Sequence, residues 1–113
     1  MTTKRRISKQ IKLTDVEVVQ VQALVEDSNS PSQKAYLDEV ISDFLDDNKL
    51  LTQVEFLSPS RSGQYRTIWI GQAIVKAIKE FAHVCDASEN AVIFTAVKRR
   101  LLLQDSEQGA INA

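Results

Sequence analysis

The chain has few of the residues that cross-link a small protein, bend it or supply catalytic groups. Its 113 residues include one cysteine, one histidine, two prolines and three glycines. The lone Cys85 excludes an internal disulfide and fits a reducing cytoplasm. His83 stands near it, but the further ligands that a zinc site needs are missing. Three glycines are also too few for a phosphate loop or a dinucleotide fingerprint, which need glycine at several fixed positions.

The residue sets that usually carry catalysis are missing as well. The sequence contains no arrangement of serine, histidine and acid that would activate a nucleophile. Cys85 falls on an apolar helical stripe, where cysteine is more often a small core residue than a nucleophile. We place His83 on an exposed helical surface. The sequence therefore predicts that the protein is not an enzyme and has no metal site and no cofactor.

Long hydrophobic runs are also missing. No apolar run approaches the roughly 20 residues that span a bilayer, and the basic N-terminus is not followed by the apolar stretch of a signal peptide. We therefore expect a cytoplasmic protein with no membrane partner. A chain of 113 residues is expected to form one domain.

The charge is nearly balanced overall but strongly segregated along the chain. The formal net charge of −1 by itself argues against a nucleic-acid partner. Residues 1–14, however, carry five bases and no acid, and residues 15–48 carry nine acids and one lysine. A charge run is usually a solvated surface, but this basic block coincides with the first predicted strand.

A strand, helix, turn and helix occur twice, about 56 positions apart. The segments of the first copy are residues 7–13, 14–27, 28–32 and 33–47. Those of the second copy are residues 65–70, 71–85, 86–88 and 89–103. Neither copy is long enough to bury a core by itself, so we expect the two to complete each other. The predicted division is a basic arm, a first repeat, a linker, a second repeat and a flexible tail: residues 1–6, 7–48, 49–64, 65–103 and 104–113.

Capping motifs mark the starts of the predicted helices. Thr14 and Glu17 form a predicted capping box, in which the side chain of each accepts a hydrogen bond from the backbone N–H of the other. The segment Ser30–Gln33 predicts a second box with proline at the first helical position, and Asp86–Glu89 predicts a third. The valine-rich run after Thr14 also fits a strand, but the capping box ahead of it favours a helix.

The two strand candidates alternate with the period of a half-buried strand. Ile11 and Leu13 share one face of the first, and Ile68 and Ile70 share one face of the second. Lys9 interrupts the apolar face, so we expect firm pairing only over residues 10–13. In the linker, five apolar residues are expected to pack on the helices: Leu50, Leu51, Val54, Phe56 and Leu57.

A strand followed by two helices, taken twice, allows the strands to pair antiparallel above four interlocking helices. This order resembles the ribbon-helix-helix family of DNA-binding proteins, which normally assembles from two identical short chains. A single-chain version is similar to the tandem ribbon-helix-helix accessory proteins of conjugative-plasmid relaxosomes and T-DNA transfer systems. The resemblance covers residues 7–47 and 65–103. It implies a mainly α fold with a short two-stranded antiparallel ribbon, in which two repeats form an intramolecular pseudo-dimer.

In that family the ribbon enters the major groove, and its outward side chains read base edges. The resemblance assigns this role to six outward positions: Ser8, Gln10, Lys12, Tyr65, Thr67 and Trp69. Gln10 suits adenine, Lys12 suits guanine, and Thr67 can contact a thymine methyl. Trp69 departs from the small or polar residue that is usual in the family, and a packing role is an equal alternative.

The resemblance assigns contacts with the DNA backbone to two further regions. The N-termini of the second helices would bind phosphates through Ser32, Gln33, Ser88 and Asn90. Asp86 and Glu89 would repel a phosphate there, and helix capping alone explains these polar residues equally well. The arm would add sequence-independent affinity through Lys4, Arg5 and Arg6, unless it is an ordinary solvated terminus.

These assignments predict sequence-specific binding of double-stranded DNA through a major-groove β-ribbon. The resemblance implies a DNA-transfer or relaxosome accessory factor, or a transcriptional repressor. Two unlike strands suit a site that is not a palindrome, and the monomeric pseudo-dimer could assemble further on DNA. The alternative is an acidic helical interaction module, antitoxin-like or adaptor, that binds a protein through residues 38–47 and does not bind DNA.

Overall fold

Two strands and four helices follow one another in the order strand, helix, helix, strand, helix, helix. The computed structural model describes residues 6–48 and 54–111, with side chains described for residues 7–48 and 54–103. The elements are β1 (Arg6–Leu13), α1 (Asp15–Asp27), α2 (Gln33–Asn48), β2 (Gln64–Gly71), α3 (Gln72–Cys85) and α4 (Glu89–Ile111). The expectation of a mainly helical fold with a two-stranded antiparallel sheet is confirmed.

The two strands pair along their whole lengths to form the ribbon. Arg6 lies opposite Gly71 at one end, and Leu13 lies opposite Gln64 at the other. The expectation that firm pairing would be confined to residues 10–13 is wrong. Lys9 lies on the inner face but does not disrupt the ladder, because its ammonium donates to Glu89 Oε1 at 3.0 Å. The charge is thereby compensated where the strand meets α4.

Helix α1 begins at the predicted capping box. The Glu17 backbone N–H donates to Thr14 Oγ1 at 3.2 Å, and the Thr14 N–H donates to Glu17 Oε1 at 2.9 Å. This reciprocal pair satisfies two amides that a helix start leaves without partners. The helical interpretation of the valine-rich run is confirmed, although Val16 and Val19 are exposed and Val21 faces the core.

The boxes predicted for α2 and α4 are wrong in detail. Ser32 caps α2 by accepting from the Ala35 N–H at 3.1 Å, so Pro31 lies before the helix and not at its first position. Ser88 caps α4 in the same way, accepting from the Ala91 N–H at 3.0 Å. Asp86 instead terminates α3 in a left-handed conformation with φ of 54°. The two capping serines are corresponding residues of the two copies.

Helix α4 is longer than its pattern predicted. It continues to Ile111, whereas the predicted helix ended near Leu103. The reason is local, because no proline or glycine interrupts the sequence between Glu89 and Gln108. The backbone of residues 104–111 is therefore helical in the region predicted to be a flexible tail.

The core lies beneath the inner face of the ribbon and draws on both halves of the chain. Four isoleucines from four different elements are 0% exposed: Ile41 of α2, Ile70 of β2, Ile78 of α3 and Ile93 of α4. They belong to one continuous cluster. A single cluster built from both halves means that each half supplies surface that the other buries.

The loop before β2 packs on α4. Val54, Phe56 and Leu57 are half-buried against the core, and the Leu57 N–H donates to Thr95 Oγ1 at 3.0 Å. The predicted packing is confirmed for these three residues, whereas Leu50 and Leu51 lie outside the described part of the chain. Within that described part, no helix is long and apolar enough to cross a membrane.

Candidate nucleic-acid interface

The outer face of the ribbon carries all six residues predicted to read bases. The register places them in three cross-strand pairs: Ser8 with Trp69, Gln10 with Thr67, and Lys12 with Tyr65. Lys12 is half-buried and the other five are exposed. Successive side chains of a strand alternate between its faces, so the ladder that buries Ile68 and Ile70 also directs these six side chains outward.

The outer face offers hydrogen-bonding groups rather than a dense positive charge. Gln10 can donate and accept, the hydroxyls of Ser8 and Thr67 can do both, and Lys12 donates as an ammonium. Directly opposite residues have Cβ atoms about 5 Å apart, and successive rows of one face are about 7 Å apart along the strand. A surface two strands wide with this spacing fits the major groove of B-DNA.

Trp69 lies on this outer face and is 42% exposed. It does not belong to the core cluster of the described residues. The indole has a flat apolar surface and one N–H donor, which suits contact with a base or a sugar.

The start of α4 adjoins one end of the ribbon. Gln10, Lys12 and Tyr65 of the ribbon line a cleft of about 190 Å³ together with Ser88 and Asn90. Residues of the loop before β2 form its remaining side. The cleft thus brings predicted base-reading residues and predicted phosphate-binding residues to one place, next to a helix N-terminus, which favours anions.

Lys12 is closely packed at this end of the ribbon. A Cβ atom at position 63 would lie 3.1 Å from Lys12 Cγ and 3.2 Å from the backbone of Leu13. Gly63 therefore allows the loop to pass beside the lysine stem. A larger residue at position 63 would require the Lys12 stem or the neighbouring backbone to shift by a few tenths of an ångström.

The start of α2 adjoins the ribbon from the inner side. Gln33 and Thr67 line the same pocket, which lies between the ribbon and the helices. Ser32 and Gln33 are both exposed. The capping serines Ser32 and Ser88 use their hydroxyl oxygens as acceptors, and each hydroxyl keeps a hydrogen to donate.

The acids expected to repel phosphate near α4 behave differently from each other. The carboxylate of Glu89 is paired with Lys9 at 3.0 Å, so much of its charge is compensated. Asp86 is exposed and lies before the first turn of α4. Lys9 thus affects the potential at the α4 N-terminus from the inner face of the ribbon, a role that the alternation pattern did not reveal.

Arg66 is a second inner-face base that sequence reasoning missed. Its Nη2 donates to Asp15 Oδ1 at 2.6 Å, which ties β2 to the start of α1. Among the residues that the structure describes, its Nε is buried without a hydrogen-bond partner. The sequence signal was a basic residue at an inward position of a strand, as at Lys9.

The acidic stretch of α2 is partly engaged within the molecule. Asp38 accepts from Lys34 Nζ at 2.8 Å and from the Gly71 N–H at 2.9 Å. Asp43 accepts from Arg100 Nη2 at 3.1 Å. These contacts join α2 to β2 and α4, so only part of the stretch is available to the alternative protein partner.

The remaining candidates lie away from this interface. Lys4 and Arg5 are outside the described residues, and the backbone of Arg6 begins β1. His83 is exposed and Cys85 is a half-buried free thiol. Among the residues that the structure describes, no group of His, Cys, Asp and Glu side chains is placed to hold a metal ion.

Comparison of the chain with protein-family models, curated proteins and solved structures finds no match. The function is therefore inferred from the geometry of the ribbon and its surroundings.

Proposed function

We propose that the protein binds double-stranded DNA in a sequence-specific manner through the outer face of its β-ribbon, as a single-chain pseudo-dimer of two ribbon-helix-helix repeats. The observation that carries this proposal is the separation of the two ribbon faces. The inner face packs on the helices, whereas the outer face presents Gln10, Thr67 and four further polar or aromatic side chains together. A two-stranded ribbon with such a face is one of the few elements that the major groove admits.

The strand register supports the two-repeat arrangement. Thr14 and Gly71 are the N-caps that end the two strands, so we align the copies on them. Gln10 of the first copy then corresponds to Thr67 of the second, and the same two residues lie directly opposite each other in the ribbon. This is the relationship expected if an approximate two-fold axis passes through the centre of the ribbon.

The two copies differ most at the surface that would contact DNA. In the same alignment, Ser8 corresponds to Tyr65 and Lys12 corresponds to Trp69. An axis of this kind would place unlike side chains on equivalent base pairs. We therefore propose that the preferred DNA site is not palindromic. A symmetric homodimer, in contrast, would favour a palindrome.

In the proposed complex, the contacts divide into two kinds. Gln10, Lys12 and Thr67 supply hydrogen bonds to base edges, which carry specificity. The exposed start of α4, with Ser88 and Asn90 beside the ribbon, supplies contacts to phosphates, which fix the orientation. The biological role proposed is that of a DNA-transfer or relaxosome accessory factor or of a repressor, on the basis of the family resemblance.

The proposal is tested by selecting bound duplexes from a random pool and then measuring affinity by fluorescence anisotropy at several salt concentrations. The test variant is Gln10→Ala with Lys12→Ala. Its matched control is Gln22→Ala with Lys79→Ala, which removes the same two side-chain types from exposed positions on α1 and α3. We expect the test variant to lose at least about tenfold in affinity for the selected duplex, since each bidentate contact contributes about 1–3 kcal/mol.

Loss of the Lys12 ammonium should also make log affinity less steeply dependent on log salt, because one positive charge fewer displaces counterions from the DNA. The control should retain both the affinity and the sequence preference. Failure of the selection to enrich any sequence, or equal losses in the test and control variants, would exclude the ribbon as the reading surface.

A further inference from the structure

The exposed side of α1 carries apolar residues that lie together. Val16 and Val19 are 67% and 63% exposed, and Ala23 is exposed as well. Positions i, i+3 and i+7 lie on one side of a helix, so the three side chains form a line along α1. Apolar residues that are grouped on a surface, rather than scattered singly, are typical of a contact with another molecule.

Two acids continue this line at the end of α1. Glu26 and Asp27 are exposed, and neither is in an ion pair with any described residue. The last turn of α1 contains no base, and an acid there is unfavourable because the helix dipole is negative at its C-terminus. A cation from another molecule would therefore stabilise this end. We call the line of five residues the α1 strip: Val16, Val19, Ala23, Glu26 and Asp27.

The exposed side of α3 has the opposite order of charged and apolar residues. Lys76 and Lys79 lie in the first half of the helix, are exposed, and form no ion pair within the described part of the chain. Glu80 is the one acid of α3, and Val84 near its end is 76% exposed. The α3 strip is thus basic near the helix start and apolar near its end: Ala73, Lys76, Lys79, Glu80 and Val84.

We propose that the α1 strip of one molecule packs antiparallel on the α3 strip of a second molecule of the same chain. This direction brings Val16 against Val84, so that two exposed apolar side chains leave water together. It also brings Glu26 and Asp27 to Lys76, with Lys79 one helical turn further along. A parallel arrangement would place the acids at Val84 and separate them from the lysines. The antiparallel direction also aligns the two helix dipoles favourably.

The contact joins two different surfaces, so it is heterologous. Each molecule in a pair still presents one α1 strip and one α3 strip, and the contact therefore propagates head to tail or closes into a ring. A contact between helices of 13 and 14 residues is smaller than a standard interface, so we expect a dissociation constant on the order of 0.1 mM. This inference does not depend on DNA binding, because it concerns the surfaces of the helices and is tested without DNA.

Helix α2 provides an internal comparison. Its last turn also carries two exposed acids, Asp46 and Asp47, which form no ion pair with a described residue. The exposed residues of α2 are all polar, however, so these acids do not continue an apolar line. They are therefore matched controls for the acids of the α1 strip.

The test exchanges charges and follows self-association of the full chain by sedimentation velocity at concentrations up to on the order of 1 mM. The α1 exchange is Glu26→Lys with Asp27→Lys, and the α3 exchange is Lys76→Glu with Lys79→Glu. Each exchange alone should weaken self-association at least about tenfold, because like charges then face each other across the contact.

The decisive variant carries both exchanges in one chain. It has the wild-type net charge of −1 and restores opposite charges across the contact, so it should associate about as strongly as the wild type. Its matched control combines the α3 exchange with Asp46→Lys and Asp47→Lys. The control also has a net charge of −1, but it keeps like charges across the contact and should remain at least about tenfold weaker.

The apolar part of the contact is tested separately. Val84→Ser should weaken self-association about fivefold by removing buried apolar surface. Leu102→Ser makes a comparable change at a residue of α4 that is 47% exposed and should leave the association unchanged. Each variant is first checked for the wild-type melting transition by circular dichroism. If the α3 exchange does not fold, Val16→Ser tests the same contact from α1 and should also weaken it about fivefold.

A wild-type chain that stays monomeric at concentrations on the order of 1 mM would overturn the proposal. It is also overturned if the double exchange and its matched control associate equally, or if Val84→Ser and Leu102→Ser have the same effect. None of these outcomes bears on the ribbon, which is tested with DNA at concentrations far below those of the association.

Discussion

Glu17 and Lys98 form an ion pair that joins the first helix of the chain to the last. Lys98 Nζ donates to Glu17 Oε2 at 2.7 Å, and the Glu17 side chain is only 7% exposed. Burial raises the pKa of the Glu17 carboxyl, but the Lys98 ammonium and the Thr14 N–H outweigh it. The net result is a pKa below the ordinary value of 4.5.

Replacing Glu17 by Gln should therefore reduce stability in a pH-dependent way. Glutamine keeps an oxygen for the Thr14 N–H but loses the charge paired with Lys98. We expect the free energy of unfolding at pH 7 to fall by about 1–2 kcal/mol. This loss is smaller than that expected for a fully buried ion pair, because Lys98 is partly solvated.

The pH dependence has a definite sign. A carboxyl whose pKa is lowered on folding contributes its stability above its unfolded pKa and loses it as the pH falls through the folded value. The difference between wild type and Glu17→Gln should therefore be full at pH 7 and shrink below about pH 4.5, as measured by urea unfolding. Glu26→Gln, at an exposed position of the same helix, is the control. A difference that is the same at every pH would contradict the ion-pair explanation.

Ile93→Ala should be among the more destabilising single changes. Ile93 lies near the start of α4 and is 0% exposed, so truncation leaves a cavity that the surrounding core fills only in part. We expect a loss of about 2–5 kcal/mol in the free energy of unfolding. Val19→Ala, at a residue that is 63% exposed, should change stability by less than about 0.5 kcal/mol. Similar losses in the two variants would show that α4 does not pack as described.

If the protein binds DNA as proposed, Lys9 should influence affinity without contacting DNA. Lys9→Gln would leave the Glu89 carboxylate uncompensated at the start of α4, where a phosphate would bind. We expect about a threefold loss of affinity at low salt, which added salt diminishes. The double variant Lys9→Gln with Glu89→Gln should recover most of the loss. No recovery in this double-mutant cycle, measured by anisotropy, would show that Lys9 acts in some other way.

Neither half of the chain should fold as an isolated monomer. The core combines Ile41 from the first half with Ile70, Ile78 and Ile93 from the second. Residues 1–53 and 54–113, expressed separately and studied at low concentration, should each lack the cooperative thermal transition of the full chain by circular dichroism. A half that melts cooperatively as a monomer, with its mass checked by sedimentation, would show that the repeats are independent domains.

The local features of this fold could be predicted because they depend on neighbours in the chain. The Thr14–Glu17 capping box joins residues three apart, and the alternation that separates Gln10 from Ile11 follows from the strand itself. The cap of α2 was misplaced by two residues because serines at positions 30 and 32 both satisfy the local preference. Ser32 is the residue that caps α2, because the cap is determined by the position at which the chain enters the helix, and local preference alone does not define that position.

The features that were not predicted join residues far apart in the chain. In the sequence, Lys9 interrupts the apolar face of the first strand. Only the tertiary structure places its partner Glu89, 80 positions away, beside it. Arg66 Nε has no hydrogen-bond partner among the described residues, and the pocket that Arg66 lines forms where the ribbon meets α1, α2 and α4. A sequence pattern carries no information about such distances, since loop closure can bring any of several charged residues together.

The amino-acid order was thus sufficient to locate the four helices, apart from the C-terminal end of α4 and the caps of α2 and α4. It also defined how each strand divides its side chains between two faces, and which six residues share the outward one. Each of these follows from backbone geometry with a fixed period, 3.6 for a helix and two for a strand. Packing determined the pairing of Gln10 with Thr67, the partners of the inward charges and the pocket beneath the ribbon. These depend on the one arrangement in which both halves bury a common core, because the entropy cost of bringing distant residues together is offset only by the packing of that whole core.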